Sequence, residues 1–459
     1  MELQHVFCRI KIRKENILPV AACFSVLYEF NFYLLRYMLP ESVFRLYSMA
    51  LPAALVCEGL ILLDVVLNGD RWRSLLLLNL CCLLASRLLL GDFAFSAWSA
   101  VHWAILFVCF FHCFTALNAK QKDLLYAVIT LELTGLLALW AVLGILTAIM
   151  GHPVAGFEEI CFSVEHTDPP LVFITFFGLH RNLSAAYFVC TAGMLLYHCR
   201  KTRAPLWRGL TILFLPLAFC AVALQHSRSN YLAFAVLLGL VLVCSLRQLR
   251  RWPRGLAGQA AALCALALSV SLLYMGMGAA SDGITALSRA FRTQEQAETI
   301  GTEGETAAES EPAPVISDPR STLEDSRTLT GRSSIWKSAL LTIREKPSIA
   351  LLGLPMGSIM TRVNQFTGIP NVHMHNALMQ QLMTSGVPGL VIYCLFFLSL
   401  LKKIALVFGC GGKEKGLERQ ILGMLLSAML VYSFFEPLLC QRIPVPSLLF
   451  CMSAGLLVS

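Results

Sequence analysis

The stretch "LLYAVITLELTGLLALWAVLGILTAIM", residues 124–150, contains a single charged side chain, Glu132. A helix on the surface of a soluble protein keeps a polar face, whereas this one would be apolar all round. About 20 such residues cross the roughly 30 Å of hydrocarbon in a bilayer. Comparable runs recur almost end to end through the 459 residues, of which 57% are hydrophobic and 14% charged. Soluble domains carry about 25% charged residues, so the mean hydropathy of +0.69 belongs to a different solvent. The chain reads as an all-α polytopic membrane protein. No cleavable signal is expected, because the basic N-terminal "MELQHVFCRIKIRKEN" runs into a full-length span.

Twelve spans are expected, at 17–39, 43–67, 73–90, 98–117, 124–150, 183–198, 207–225, 229–246, 256–279, 388–408, 418–438 and 443–459. With the N-terminus inside, the inner loops hold 21 of the 36 Lys and Arg residues, and the short outer connections and span interiors hold six. Shifting the register by one span would invert this asymmetry, so the positive-inside rule fixes the orientation. The net charge of +8 is thereby explained by topology rather than by nucleic acid, and no nucleic-acid partner is expected. The seventeen cysteines lie mostly inside apolar runs, where they behave as small hydrophobes. Only Cys161 and Cys440 are expected to reach the outer face, and no disulfide framework or C-x-x-C metal pattern follows.

Two long connections, about 151–182 and 280–387, fall on the outer side, and long loops of this kind usually carry function. Three regions result: an N-terminal bundle over 1–279, the outer loop over 280–387, and the last three spans over 388–459. Within the loop, "QEQAETIGTEGETAAESEPAPVISDPRSTLED" holds nine acidic residues against one Arg. Its core, about 294–323, cannot bury enough surface to offset its ordering entropy and is read as disordered. Order resumes over about 331–387, where Ile335, Trp336, Ala339, Leu340 and Ile343 fall at helical spacing.

Three outward clusters carry candidate chemistry. In "LQHSRSNYLAF", Arg228 sits where two spans turn, and is either paired or functional, or snorkels to the interface. Arg332 opens the helix of "GRSSIWKSALLTIREKP", where a guanidinium joins backbone N–H groups in an anion site, or the helix simply lies on headgroups. In "NVHMHNALMQQLMTSGVPG", His373 and His375 stand at a polar mouth, either partnerless or in proton transfer. Asn376 could orient the imidazole or a substrate hydroxyl, and the turn from Gly386 to Gly389 sets how the next helix enters the bilayer. No further ligands with metal spacing stand nearby, so no metal is expected.

The spacing His375-Asn376, nine residues, then Gly386-x-x-Gly389 resembles the H-[N/S/Q]-x9-G-x-x-G signature of bacterial O-antigen ligases, members of the O-antigen ligase and polymerase superfamily of membrane glycosyltransferases. "SRSNYLAFAV" resembles the family's Ser-x-Arg segment, "GRSSIWKSALLTIREKP" its R-x-x-x-W-x-x-A helix, and "GLHRNLSAAYFV", with Asn182, a segment that introduces an earlier span. The large outer loop between spans nine and ten also matches, in a GT-C-like arrangement. The family's Gly-x-Gly reads Gly353-Leu354-Pro355 here, and Leu390 and Val391 stand where ligases often carry Thr-Thr.

The resemblance implies transfer of a glycan from an undecaprenyl-pyrophosphate carrier to a glycan, lipid or protein acceptor, on the extracytoplasmic face of the cytoplasmic (inner) membrane. It assigns His375 as catalytic base and Arg228 and Arg332 to the donor pyrophosphate. Asn376, Asn182, His373, Gly386 and Gly389 support them, and no cofactor or metal is required. The runner-up is a polymerase joining lipid-linked repeat units. A transporter or flippase is the alternative of another class, motivated by Glu29, Glu58, Asp64 and Glu132 in or near spans. Sidedness is testable directly. An impermeant thiol probe should label a cysteine placed near residue 305 from outside, and one near residue 412 only after permeabilisation. Reversed labelling would remove the glycosyl-transfer reading.

Overall fold

The computed structural model describes residues 17–32, 41–68, 70–91, 95–150, 162–165, 171–174, 181–225, 227–249, 256–300, 332–354, 374–409, 416–439 and 444–459. Their helices are α1 (Ile17–Phe32), α2 (Glu41–Ser48), α3 (Leu51–Asn68), α4 (Arg71–Leu89), α5 (Phe95–Ala116), α6 (Ala119–Met150), α7 (Arg181–Thr202), α8 (Pro205–Leu224), α9 (Arg228–Leu249), α10 (Leu256–Ile300), α11 (Arg332–Glu345), α12 (Ser348–Leu352), α13 (Ala377–Gly409), α14 (Leu417–Ser433) and α15 (Pro444–Val458). The protein is an all-α polytopic membrane protein. Helices overlap all twelve expected spans, with 43–67 divided between α2 and α3, and among the described residues eight helices are long and apolar enough to cross a bilayer. Helices α7 and α14 and the short α1 and α15 complete the expected set without reaching that length and hydropathy.

Two local departures are informative. The connection at 151–182, expected as loop, contains a two-stranded antiparallel hairpin, β1 (Phe162–Glu165) and β2 (Leu171–Ile174), pairing Phe162 with Ile174. Helix α10 continues to Ile300, beyond the expected end of span nine and into the acidic segment. At about 1.5 Å per residue, its 45 residues extend well past one membrane thickness. Residues 301–331, with most of that segment, lie outside the described residues, as do Cys161 and Cys440.

The chain packs as two compact units. In the first, 1–129 with 331–459, α5 lies against α15, α3 and α4, and α13 lies against α4, α12 and α14. Its interior holds Phe110, Phe111, Phe114, Tyr126 and Phe396. Gly455 lets α15 approach α5, since a Cβ there would stand 2.7 Å from the Phe111 carbonyl oxygen. Such small-residue contacts replace the hydrophobic drive that lipid removes. Several buried acids in this unit are paired with histidines. Asp64 Oδ2 lies 2.7 Å from His112 Nε2, whose Nδ1 lies 2.8 Å from Arg73. Glu58 lies 3.1 Å from His102 Nε2. An unpaired charge at such a place costs several kcal/mol, of order.

In the second unit, 130–330, α7 packs on α8 and α9, and α10 on both α8 and α9. Helix α7 is buried along nearly its whole length, whereas α10 exposes Leu263, Leu268, Leu272 and Met275, a face suited to lipid. Gly239 brings α9 against α10, because a Cβ there would already meet Val270 and Leu266 at 3.2 and 3.3 Å.

Helix α4 has an N-cap whose strength can be tested. Asp70 Oδ1 accepts from the N–H groups of Trp72 and Arg73, and Oδ2 from the Arg73 guanidinium at 3.2 Å. Burial pushes its carboxyl upward, but these bonds and the Arg73 charge outweigh that and hold it below the ordinary value. Asp70→Ala should destabilise the protein by about 1 kcal/mol. Because the folded value is the lower one, the cap's contribution is fully present above the unfolded value of about 3.9. It is lost as pH falls through the folded value. Thermal unfolding in detergent at neutral and acidic pH should show the two proteins converging in acid.

Candidate functional site

The segments that carry Arg332 and His375 meet at two glycines. Helix α12 ends at Gly353 (φ 72°) and α13 kinks at Gly386 (φ 67°), both in the left-handed region that L side chains avoid. A Cβ on Gly353 would stand 2.5 Å from the Thr384 carbonyl carbon, and one on Gly386 2.4 Å from the Leu351 oxygen. Backbone lies on backbone, and the Leu354 N–H donates to Met383 O at 2.6 Å. Two residues past the kink, Pro388 has no N–H to offer the Thr384 carbonyl one turn back. Buried Arg87 of α4 takes its place, donating to Thr384 O at 2.5 Å and Leu354 O at 2.9 Å. Its neighbour Ser86 donates to Leu352 O. Asn79 of α4 donates to Gly389 O at 3.1 Å and accepts from Gln381.

Helix α11 docks on this junction through the expected apolar stripe. Ile335 and Ala339 are buried with Ile349, Leu354, Met374 and Met383, and Trp336 and Ile343 pack against them, while Leu340 stays exposed. Trp336 Nε1 donates to Met374 O at 2.8 Å, and the Met374 N–H donates to Gln380 Oε1 at 3.1 Å. These bonds pin the turn in which His375 takes a left-handed conformation (φ 49°). Such conformations persist in non-glycine residues only where surrounding structure imposes them. Asn376 uses both ends of its amide on structure. Its Oδ1 accepts from Met379 N at 3.0 Å as the cap of α13, and its Nδ2 donates to Phe434 O at 3.0 Å.

Arg332 and His375 converge on one acid. Glu436, in the turn after α14, places Oε1 3.3 Å from His375 Nδ1 and 3.5 Å from an Arg332 nitrogen. The carboxylate is 2% exposed, the imidazole 19% and the guanidinium 24%, so the acid is covered while its partners reach the surface. The Arg332 guanidinium also lies over the Phe435 ring, 5.6 Å from its centroid. Since a carboxylate only accepts, Nδ1 is the nitrogen that donates to Glu436, and Nε2 is the nitrogen left for other partners. Glu436 was not among the residues expected from sequence. Its signal was an acid at the end of an apolar span, in "SFFEPLLC", the same signal that singled out Arg228.

Arg228 and Asn182 belong to the second unit, which arranges them together. Arg228 opens α9 directly after Ser227, whose hydroxyl donates to Asn182 Oδ1 at 2.7 Å. Asn230 Nδ2 donates to Asn182 O at 2.7 Å, so Asn182 ties the start of α7 to the start of α9. Gly386 and Gly389 lie within α13, and His373 lies outside the described residues. Among the described residues, the group whose donor atoms cluster closely enough for a metal is Glu29, Glu58 and His102, within 4.8 Å of one another. None of these belongs to the His375 cluster.

The family model of the O-antigen ligases matches residues 212–394. Over these residues, about two fifths of the chain, the protein is similar to the O-antigen ligases, which supports a place in the O-antigen ligase-like superfamily. The match includes Arg228, Arg332, His375, Asn376, Gly386 and Gly389, and excludes Asn182 and Glu436. The match supports a ligase- or polymerase-type enzyme of surface-polysaccharide synthesis. A search of curated proteins finds no match to the chain.

Glycine substitutions test the junction between α12 and α13. Gly386→Ala combines a forbidden conformation with a clash against Leu351 O, and should cost roughly 2–4 kcal/mol from overpacking and backbone strain. Gly135→Ala in α6, where a Cβ meets nothing within 4 Å, should be neutral or slightly stabilising. Thermal unfolding that fails to separate the two would remove the close-approach argument.

Proposed function

We propose that this protein is a metal-independent, inverting membrane glycosyltransferase of the ligase type. It transfers a glycan from an undecaprenyl-pyrophosphate carrier to an acceptor hydroxyl on the outer face of the cytoplasmic membrane. The observation that supports this reading most directly is the meeting of Arg332 and His375 at Glu436, inside a chain whose matched segment carries both. The leaving group is a lipid pyrophosphate, and a guanidinium fork offsets the charge that grows on it. Arg332 and Arg228 are assigned that task. The acceptor is a sugar hydroxyl, a poor nucleophile that gains typically 10²–10⁴-fold from a base in reach. His375 Nε2 takes its proton as the acceptor oxygen bonds the anomeric carbon. The carbon–phosphate-oxygen bond breaks on the opposite side, and the pyrophosphate leaves with the electron pair. A polymerase would use the same groups with a lipid-linked repeat unit as acceptor.

Donor binding and single-turnover transfer on purified variants in lipid test these roles. His375→Ala should abolish turnover and leave donor binding nearly unchanged, because the base acts only in the transition state. Arg228→Lys and Arg332→Lys should also fail, because a point charge cannot reproduce the fork. They should weaken donor binding by roughly 1.5–3 kcal/mol for a lost charge-assisted bond. His373→Ala should be much milder, and EDTA should have no effect. An active His375→Ala enzyme sinks the assignment of the base.

A further inference from the structure

Glu436 stands between the two groups to which the proposed reaction gives different tasks. One oxygen, Oε1, serves both, at 3.3 Å from the imidazole and 3.5 Å from the guanidinium. Both separations exceed the 2.7–2.9 Å typical of a charge-assisted bond, so neither partner holds the carboxylate tightly. The acid itself is fixed. It is buried, its N–H donates to Tyr432 O at 3.0 Å, and its carbonyl accepts from Leu438 N at 2.9 Å. The partners differ in this respect, since each is partly exposed and reaches the acid from a different segment, Arg332 from α11 and His375 from the turn before α13. Glu436 thus joins a guanidinium and an imidazole through one oxygen.

We propose that Glu436 is a positioning residue that couples donor binding to activation of His375, resting on the reading of Arg332 as a pyrophosphate ligand and His375 as the base. Without donor, the carboxylate is divided between guanidinium and imidazole, and partly neutralises the cation that should meet the pyrophosphate. When a pyrophosphate arrives, its oxygens compete for Arg332 and displace the acid from it. Oε1, no longer shared with Arg332, then tightens on Nδ1–H of His375 and leaves Nε2 the stronger base. The base thus reaches full strength once a donor is in place, which suppresses idle proton transfer at an empty site. Glu436 competes with the donor for Arg332 and so lowers donor affinity, and by linkage a donor that raises the proton affinity of His375 is itself bound more tightly, by the same factor, when His375 is protonated.

This predicts a change of opposite sign in two measurements on one variant. Glu436→Gln keeps the shape and removes the charge. It should bind undecaprenyl diphosphate, the unglycosylated carrier used as probe, several-fold more tightly than wild type in lipid nanodiscs. Its turnover should fall at least tenfold. A residue that merely supports the fold would weaken binding and turnover together. Glu436→Asp keeps the charge but retracts it from contacts that are already long, and should show the same two signs with smaller amplitude. This second variant decides the matter should the glutamine variant not fold. Weaker or unchanged carrier binding in the folded variants would overturn the coupling. Turnover within threefold of wild type would overturn it as well. Neither result touches the parent reading, which fails instead if His375→Ala remains active or Arg332→Lys binds carrier normally.

Discussion

The carbonyl of Thr384 sets the constraint on which the rest of the first unit depends. Hydrocarbon offers no water to a freed backbone group, so a break in a membrane helix persists only if protein supplies the missing partner. Pro388 frees this carbonyl and Gly386 turns the chain at the same place, while the chain from Leu352 to Leu354 brings two further carbonyls to the junction. Arg87 and Ser86 of α4 answer all three, and a guanidinium is the side chain that reaches two acceptors from one buried position. The kink fixes where the start of α13 points. The same junction anchors α11 through Leu354 and Met383. The two segments that end at Glu436 are therefore oriented from one point in the apolar region.

That dependence explains which parts were legible in the sequence. Spans were legible because hydropathy is local, and eight of the helices on these runs are long and apolar enough to cross a bilayer. The stripe of α11 was legible because Ile335 and Ala339 repeat at helical spacing. His375, Arg332 and Arg228 could be singled out because each is a polar group at an apolar boundary with a recognisable neighbourhood. Glu436 and Arg87 could not be joined to them, because their partners lie 61 and 297 positions away, and no periodicity encodes such a contact. Asn376 and Gly386 were found by motif, yet their tasks emerge only from geometry. The amide caps and ties, and the glycine admits a second backbone. The hairpin at Phe162–Glu165 and Leu171–Ile174 stayed hidden because four-residue strands are too short to display a period.

Two Arg, His and acid groupings in the first unit use the same three side-chain types in different order, and the order separates structure from chemistry. In the pair around Asp64, the imidazole is in the middle. Arg73 can only donate, so it gives a proton to Nδ1 of His112, and Nε2–H gives one to Asp64. Both nitrogens are spent, the ring is fully buried, and its tautomer is fixed by its neighbours. Such a group holds three helices together and has nothing left to exchange. Around Glu436 the acid is in the middle. The imidazole meets it through Nδ1 and remains partly exposed, and the guanidinium meets it from the other side with its own exposed edge. A carboxylate so placed can yield one partner to a ligand and keep the other without becoming an isolated buried charge, which the histidine-centred arrangement cannot do. The exchange costs little because the contacts it breaks are already long. It would be costly around His112, whose bonds to Asp64 and Arg73 are 2.7 and 2.8 Å. The placement of the acid, rather than the identity of the three residues, is what makes one cluster a brace and leaves the other able to exchange a partner.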